Sequence, residues 1–162
     1  MPIQELEELL QQVVASQRQQ IERPRIVVVD DDLNMRRSLE TLLSDTYLVA
    51  LASSATEGVA AVDEQTCAVV LDIKMKGYDG FWACSEIRKR YPDVPIIFYS
   101  AWQDLKDPYQ IINEHRPFGY LTKDGDTVRL LDMLEAAVRI HRVTLYNKKL
   151  VEGLVRGRHS GG

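Results

Sequence analysis

Acidic side chains follow two of the most apolar runs in this sequence, at the point where each run ends. Asp30–Asp32 come directly after Ile26–Val29, and Asp72 comes directly after Ala68–Leu71. Short β-branched runs of this kind are typical of buried parallel strands. Ligands of open α/β sheets collect at the carboxyl ends of such strands, and hard cations prefer carboxylate oxygens. The sequence therefore predicts an acidic pocket suited to Mg²⁺ or Mn²⁺.

Two further apolar runs end in groups suited to phosphoryl chemistry. Pro95–Tyr99 is followed by Ser100, and Gly119–Thr122 is followed by Lys123. A hydroxyl and an ammonium bind the oxygens of a phosphoryl group that a metal holds. A simpler interpretation, in which the acids only cap helices, suits Asp32 but leaves the other three carboxylates repelling one another without a cation.

An alternation of strand and helix patterns positions these residues. Strands are predicted near 25–29, 47–52, 68–71, 96–100 and 119–122. Helices are predicted near 33–44, 55–64 and 81–91, after Asp107-Pro108, and from Asp126 or Thr127 onward. Five such βα units imply a parallel sheet covered by helices on both faces.

The two ends of the chain are predicted to be helical as well. Residues 3–21 carry a heptad-like apolar seam, which polar Gln17 and Gln20 weaken, so packing on a partner helix is expected. The last helix meets no Gly or Pro before Gly153, which predicts about 27 residues, roughly twice the mean helix length. Its apolar positions continue past the sheet, and His141 among them is predicted to be an interface residue.

Composition limits the function. The chain has 162 residues, 45% of them hydrophobic, which suits one core with helical extensions. A net charge of -4 disfavours direct nucleic-acid binding. No apolar stretch approaches the roughly 18 residues that a membrane span needs, and the first residues lack the pattern of a signal peptide, so we expect a cytoplasmic protein. Cys67 and Cys84 are predicted to be reduced, partly buried thiols.

Four motifs occur in order at the predicted strand ends: Val28-Val29-Asp30-Asp31-Asp32 followed by Met35-Arg36-Arg37; Leu71-Asp72-Ile73-Lys74-Met75 followed by Asp79-Gly80; Tyr99-Ser100-Ala101; and Gly119-Tyr120-Leu121-Thr122-Lys123. With them, the core from about Arg25 to Ile140 resembles the chemotaxis-type receiver domain of two-component response regulators. The resemblance implies an α/β, flavodoxin-like, doubly wound five-stranded parallel sheet in the order 2-1-3-4-5.

The resemblance also implies roles for the residues at the strand ends. Asp72 matches the phosphoacceptor, and Lys123 matches the lysine that pairs with it. Asp31 is expected to ligate Mg²⁺ (or Mn²⁺) directly and Asp30 directly or through water. The backbone carbonyl of Lys74 is expected to supply another metal ligand.

Two switch residues follow from the same resemblance, and two positions depart from the family pattern. Ser100 matches the hydroxyl that moves to bond the phosphoryl oxygen, and Tyr120 matches the aromatic residue that rotates inward behind it. Lys76 and Asp124 stand where the family often has proline, so the Lys123-Asp124 bond is expected to be trans or, failing that, strained. Trp102 is expected to shield the phosphoryl group from water.

We predict three regions: an N-terminal amphipathic helix over residues 1–23, a receiver domain over 24–140, and an extension of the last helix with a flexible tail over 141–162. The predicted function is a switch rather than an enzyme. It takes a phosphoryl group from a histidine kinase or histidine phosphotransfer protein and changes helix packing or dimerisation.

Homodimerisation is expected through the terminal helices, or through the fourth and fifth helices of the βα alternation. One alternative is a receiver-like scaffold with little phosphorylation, and another is the receiver part of a longer regulator with an output domain past Gly162. A phosphatase of the same fold is disfavoured, because Lys74 stands where such enzymes carry a second acid.

Overall fold

The computed structural model of the chain describes residues 2–21, 23–101 and 107–159. Eleven helices and strands follow one another along it: α1 Ile3–Ile21, β1 Arg25–Val29, α2 Leu33–Leu43, β2 Leu48–Ala52, α3 Ala55–Ala61, β3 Thr66–Leu71, α4 Gly80–Arg90, β4 Ile96–Ser100, α5 Pro108–His115, β5 Gly119–Thr122 and α6 Thr127–His159. The predicted alternation is confirmed.

The five strands form one parallel sheet in the order β2-β1-β3-β4-β5, as predicted. Strands β1, β3 and β4 lie in the middle and are buried on both faces, which is why their sequences are apolar without alternation. The carboxyl ends of β1 and β3 are neighbours in the register, with Val29 opposite Leu71. The acids that follow these two residues therefore meet at one edge of the sheet.

Helices cover both faces of the sheet in two apolar layers. One layer packs α3, α4 and α5 against alternate strand residues, among them Val27, Val69 and Phe98. The other packs α2 and α6 against the residues between them, among them Val28, Val70 and Ile97. This is the three-layer arrangement of a doubly wound α/β fold.

Polar residues begin the helices where the sequence predicted them. Asp32 accepts hydrogen bonds from the backbone N–H groups of Asn34 and Met35 at the start of α2. Asp107 does the same at α5, with Pro108 in the first turn. The carboxylate of Asp126 accepts the N–H of Arg129 at the start of α6, at 3.3 Å.

The last helix is longer than predicted. α6 spans 33 residues and passes through both Gly153 and Gly157 to end at His159. The prediction that Gly153 ends it was wrong, because a glycine inside a helix costs only about 1 kcal/mol relative to alanine and does not remove a backbone hydrogen bond.

His141 on α6 is buried rather than exposed at an interface between subunits. Its side chain is 6% exposed and its Nδ1 atom lies 3.4 Å from the backbone carbonyl of Asp93. Lys148, about two turns further along, forms an ion pair with the carboxylate of Asp93. The prediction of an interface histidine was wrong, because α6 still covers the end of the sheet at this point.

The terminal helices leave their apolar side chains exposed. The apolar residues of α1 whose side chains are described are between 47% and 77% exposed.

Among the described residues, no helix is long and apolar enough to cross a membrane. Cys67 is partly buried and Cys84 is buried, and both are free, as predicted.

Candidate functional site

Asp72 lies at the centre of the predicted pocket, one residue past the end of β3. Its carboxylate is buried, and its Oδ1 atom accepts hydrogen bonds from the Ser100 hydroxyl at 2.8 Å and from the backbone N–H of Ile73 at 2.9 Å. Its Oδ2 atom lies 3.3 Å from Nζ of Lys123. The ends of three neighbouring strands, β3, β4 and β5, thus converge on one carboxylate.

The environment of Asp72 disfavours its charge. Burial is the largest influence and raises the pKa of Asp72, and the neighbouring charge of Asp30 raises it further. The hydrogen bond from Ser100 and the ammonium of Lys123 act in the opposite direction, but the net shift is upward. Two carboxylates held close together in a buried place favour a cation between them.

Lys123 bonds more closely to Asp30 than to Asp72. Its Nζ atom lies 2.6 Å from Oδ2 of Asp30, against 3.3 Å from Oδ2 of Asp72. Burial lowers the pKa of Lys123, but the hydrogen bond and charge of Asp30, together with Asp72, outweigh it and the net pKa is raised. The lysine is therefore a permanent cation that two carboxylates share.

Asp31 is the exposed member of the acidic group. Its Oδ2 atom accepts the backbone N–H of Lys76 at 3.1 Å across the pocket. Proline has no N–H to donate, so this bond exists because Lys76 stands where the receiver pattern often has proline. The sequence shows the departure from proline but not this hydrogen bond. The bond depends on the backbone path of the loop after β3, which brings the Lys76 N–H to Asp31.

The carboxylates present suit a divalent cation. One oxygen from each of Asp30, Asp31 and Asp72 lies within 4.8 Å of the others. An all-oxygen donor set with a net negative charge matches the preference of Mg²⁺ or Mn²⁺. Lys74, whose backbone carbonyl was expected as a further ligand, is exposed in the loop directly after β3.

Ser100 and Tyr120 lie on neighbouring strands. Ser100 ends β4 and is fully buried against Asp72. Tyr120 on β5 pairs in register with Phe98 on β4 and is partly buried against the layer formed by α3, α4 and α5. Their expected switching roles stay predictions, while their placement brings Ser100 to the pocket and puts Tyr120 beside the adjacent helix layer.

Gly80 allows α4 to begin against the back of the pocket. A Cβ atom added at Gly80 would lie 2.1 Å from the backbone carbonyl oxygen of Asp72, and the Gly80 N–H bonds the carbonyl of Ile73 at 2.7 Å. Asp79 caps the helix by accepting the N–H of Trp82. The Asp79-Gly80 motif thus fixes the backbone on which the Asp72 carboxylate is mounted.

The loop after Lys123 is shaped without proline. The described residues contain no cis peptide bond, so the expected trans Lys123-Asp124 bond is confirmed. The Asp124 carboxylate accepts the backbone N–H of Asp126, and Gly125 has a φ of +90°. An Asx-type turn followed by a left-handed glycine therefore performs the turn here.

Another contact supports the pocket. Arg36, which lies in the first motif but received no role from the sequence, donates a hydrogen bond to the backbone carbonyl of Asp30 at 2.7 Å. Trp102, expected to shield the site from water, lies outside the described residues, so its effect stays a prediction.

Comparison with known proteins agrees with this geometry. Residues 26–135 match the family model described as the response regulator receiver domain. The structure superposes on a response regulator receiver domain protein from Clostridium thermocellum with a TM-score of 0.68 and 27% identity, over 74% of this chain and 98% of that one.

Two curated relatives are longer proteins. The "Probable transcriptional regulator ycf27" of Cyanophora paradoxa is 40% identical over 90 residues, covering 54% of this chain and 37% of the relative. The "DNA-binding transcriptional regulator NtrC" of Salmonella typhimurium is 32% identical over 120 residues, covering 73% of this chain and 25% of the relative. The chain thus matches about a quarter to a third of the length of these relatives.

Proposed function

Because this chain belongs to the response regulator receiver domain family, we propose that it is a phosphorylation-dependent switch with Asp72 as phosphoacceptor. Receiver domains are generally signalling modules rather than enzymes. The observation that carries the proposal is the convergence of Asp30, Ser100 and Lys123 on the buried Asp72 carboxylate. A buried acid with a shared cation and a hydroxyl donor is arranged to accept a phosphoryl group.

The donor is a phosphohistidine of a histidine kinase or a histidine phosphotransfer protein. An oxygen of Asp72 attacks phosphorus, the P–N bond breaks as the P–O bond forms, and the imidazole leaves with a proton from solvent. Mg²⁺ (or Mn²⁺), held by Asp30, Asp31 and Asp72 with the Lys74 carbonyl as a further ligand, supplies charge neutralisation for the phosphoryl oxygens when bound. Lys123 is placed to bind one of those oxygens.

A groove beside the pocket offers room for the donor protein. It has a volume of about 760 Å³, lies between α2 and the start of α6, and has Lys123 among the residues that line it. Met35, Leu39 and Leu42 give it an apolar wall. A helix that carries the donor histidine and docks there reaches Asp72 past Lys123.

The output of the switch is a change in packing around Ser100 and Tyr120. Once Asp72 carries a phosphoryl group, Ser100 turns from the carboxylate to a phosphoryl oxygen, and Tyr120 fills the space behind it. Helices α5 and α6 flank β5, so they carry the change outward to a homodimer contact through α5 and α6 or through the terminal helices.

Acetyl phosphate labelling tests the proposal. In the presence of Mg²⁺ the wild-type chain should gain the mass of one phosphoryl group, with acetate released, and chelation of the metal should prevent it. Asp72→Asn should not be labelled, whereas Asp45→Asn, which changes an exposed acid after α2, should label like wild type. Equal labelling of Asp72→Asn, or none in wild type, contradicts the proposal and favours a scaffold with little phosphorylation.

A second proposal places this receiver in a longer regulator. It is supported by the lengths of the relatives, which include proteins named as transcriptional regulators. In that case an output region controls transcription while residues 1–162, with a net charge of -4, do not bind nucleic acid themselves. A DNA shift assay with this chain alone should show no binding, and the reading frame of the gene past Gly162 tests the rest.

A further inference from the structure

The far half of α6 projects an apolar surface that stays exposed among the described residues. We call residues 143–159 the distal segment. Six of its apolar side chains are between 49% and 70% exposed: Val143, Tyr146, Leu150, Val151, Leu154 and Val155. At the helical repeat they form one continuous stripe, because Val143, Leu150 and Leu154 are spaced by seven and four residues.

Helix α1 presents a matching surface. Its exposed apolar residues are Ile3, Leu6, Leu9, Leu10, Val13 and Val14. At 1.5 Å per residue, α1 is about 28 Å long and the distal segment about 25 Å. Over the residues that the structure describes, both stripes are open to solvent, which favours a partner from a second molecule.

The charges of the two helices are opposite. Exposed Glu5, Glu7 and Glu8 make the first half of α1 acidic, with no basic residue before Arg18. The distal segment carries the basic residues Lys148, Lys149, Arg156 and Arg158 against a single acid, Glu152.

Pairing of each helix with its own kind brings like charges together, whereas pairing of α1 with the distal segment brings acids to bases. We propose that α1 of one copy packs on the distal segment of α6 of a second copy, and the reverse, in a symmetric homodimer. The apolar stripes supply the contact, and the opposite charges select this pairing over self-pairing of either helix. This inference rests on the proposed homodimer but not on phosphorylation of Asp72.

Charge reversal on one helix at a time tests the pairing. One variant carries Glu5→Lys, Glu7→Lys and Glu8→Lys; the other carries Lys149→Glu, Arg156→Glu and Arg158→Glu. Lys148 is left unchanged because it pairs with Asp93 within the chain. Each variant alone should be monomeric by sedimentation at concentrations where wild type is dimeric, since both of its contacts become repulsive.

The mixture of the two variants is the decisive sample. In the mixed dimer, reversed α1 meets the reversed distal segment, and wild-type α1 meets the wild-type distal segment. Both contacts are attractive, so an equimolar mixture should dimerise like wild type, and added salt should weaken all of these dimers. Packing within one chain gives no recovery on mixing, and self-pairing of α6 leaves the α1 variant dimeric on its own.

A control variant keeps the readout specific. Asp45→Lys and Asp132→Lys reverse exposed acids on the globular part and should leave wild-type dimerisation unchanged. The proposal is overturned by a wild type that is monomeric at all concentrations, by a single-helix variant that still dimerises, or by a mixture that stays monomeric. Acetyl phosphate labelling of the same samples separates this failure from a failure of the switch, because none of these residues lies near Asp72.

Discussion

Adjacent aspartates at the end of β1 carry different tasks, although the sequence makes them look equivalent. Asp30 is buried and holds Lys123, Asp31 is exposed and faces the loop after β3, and Asp32 caps α2. All three follow the last residue of β1, in a turn where the Asp32 N–H donates to Oδ1 of Asp30 at 2.9 Å, and this turn directs the three side chains differently. Of the three, only Asp32 acts as a helix cap.

Substitution of the second and third aspartates should separate metal binding from stability. Asp31→Ala should abolish acetyl phosphate labelling and change the free energy of unfolding by less than about 0.5 kcal/mol, as for an exposed residue. Asp32→Ala should keep labelling but lose about 1 kcal/mol, the usual cost of removing an N-cap. Labelling and urea unfolding of both variants check this, and full labelling of Asp31→Ala removes that residue from the site.

The raised pKa of Asp72 predicts a site that opposes folding when it is charged. A carboxyl group whose pKa is raised in the fold binds more protons there than in the unfolded chain, so stability falls as pH rises through that pKa. Asp72→Asn should therefore raise the melting temperature at pH 7. The gain should shrink as acid protonates the wild-type carboxyl, and an equal gain at every pH speaks against this cause.

Much of the site was predictable at the residue scale because strand ends are visible in the sequence. The runs ending at Val29 and Leu71 place their acids at one edge of a parallel sheet whatever the details. The closer partnership of Lys123 with Asp30 was not predictable, since a difference of 2.6 against 3.3 Å depends on side-chain rotamers. The hydrogen bond from the Lys76 N–H to Asp31 was not predictable either. Every residue except proline has a backbone N–H, so the sequence does not show which of them faces the carboxylate.

At the scale of elements, α6 joins two different surroundings in one helix. Its first part buries Leu130 and Leu134 against the sheet, and its last part is exposed. The sequence predicted the overshoot from the lack of Gly or Pro before Gly153, but it misjudged the end of the helix at Gly153 and the burial of His141. Neither error is visible in the apolar pattern, because His141 occupies an apolar position and a glycine only weakens a helix.

The buried His141 predicts that α6 docks less firmly in acid. Burial, the largest influence, lowers its pKa, the Asp93 carbonyl and carboxylate oppose this, and Lys148 adds to it. The unfolded chain then takes up the proton first, so stability should be full above the ordinary histidine pKa of about 6.5 and fall as pH drops below it.

His141→Gln should remove the part of the loss of stability in acid that comes from this histidine. Urea unfolding at pH 7.5 and at about pH 5.5 measures it, with His115→Gln as the control at a histidine on α5. If wild type and His141→Gln lose the same stability between the two pH values, another group is responsible.

Gly80 makes a second prediction at this scale, since α4 cannot approach the pocket with a side chain there. Gly80→Ala forces the start of α4 away from the backbone of Asp72, which should cost about 1–3 kcal/mol in unfolding free energy, as overpacking does. Labelling of Asp72 should fall as well, because its backbone moves. Gly153→Ala in the exposed part of α6 is the control and should raise helix stability by up to about 1 kcal/mol.

For the whole molecule, the globular part and the terminal helices have separate sources of stability. The sheet and its two apolar layers are complete without α1, whose described apolar side chains are exposed. Deletion of residues 1–22 should therefore change the unfolding free energy of the dilute monomer by less than about 0.5 kcal/mol, while dimerisation is lost. A large loss of stability in dilute solution means that α1 packs on its own chain.

The length of α6 gives the molecule a mechanical property. The helix starts four residues after Lys123 and runs for 33 residues, about 50 Å, without a proline. Because it is a single rod whose contacts with the globular part extend to the ion pair of Lys148 with Asp93, a tilt of about 10° at the sheet moves its free end, about 16 Å further on, by roughly 3 Å. A small displacement at the pocket thus becomes a movement of side-chain size at the free end of the helix. In this way α6 amplifies a small tilt at the sheet.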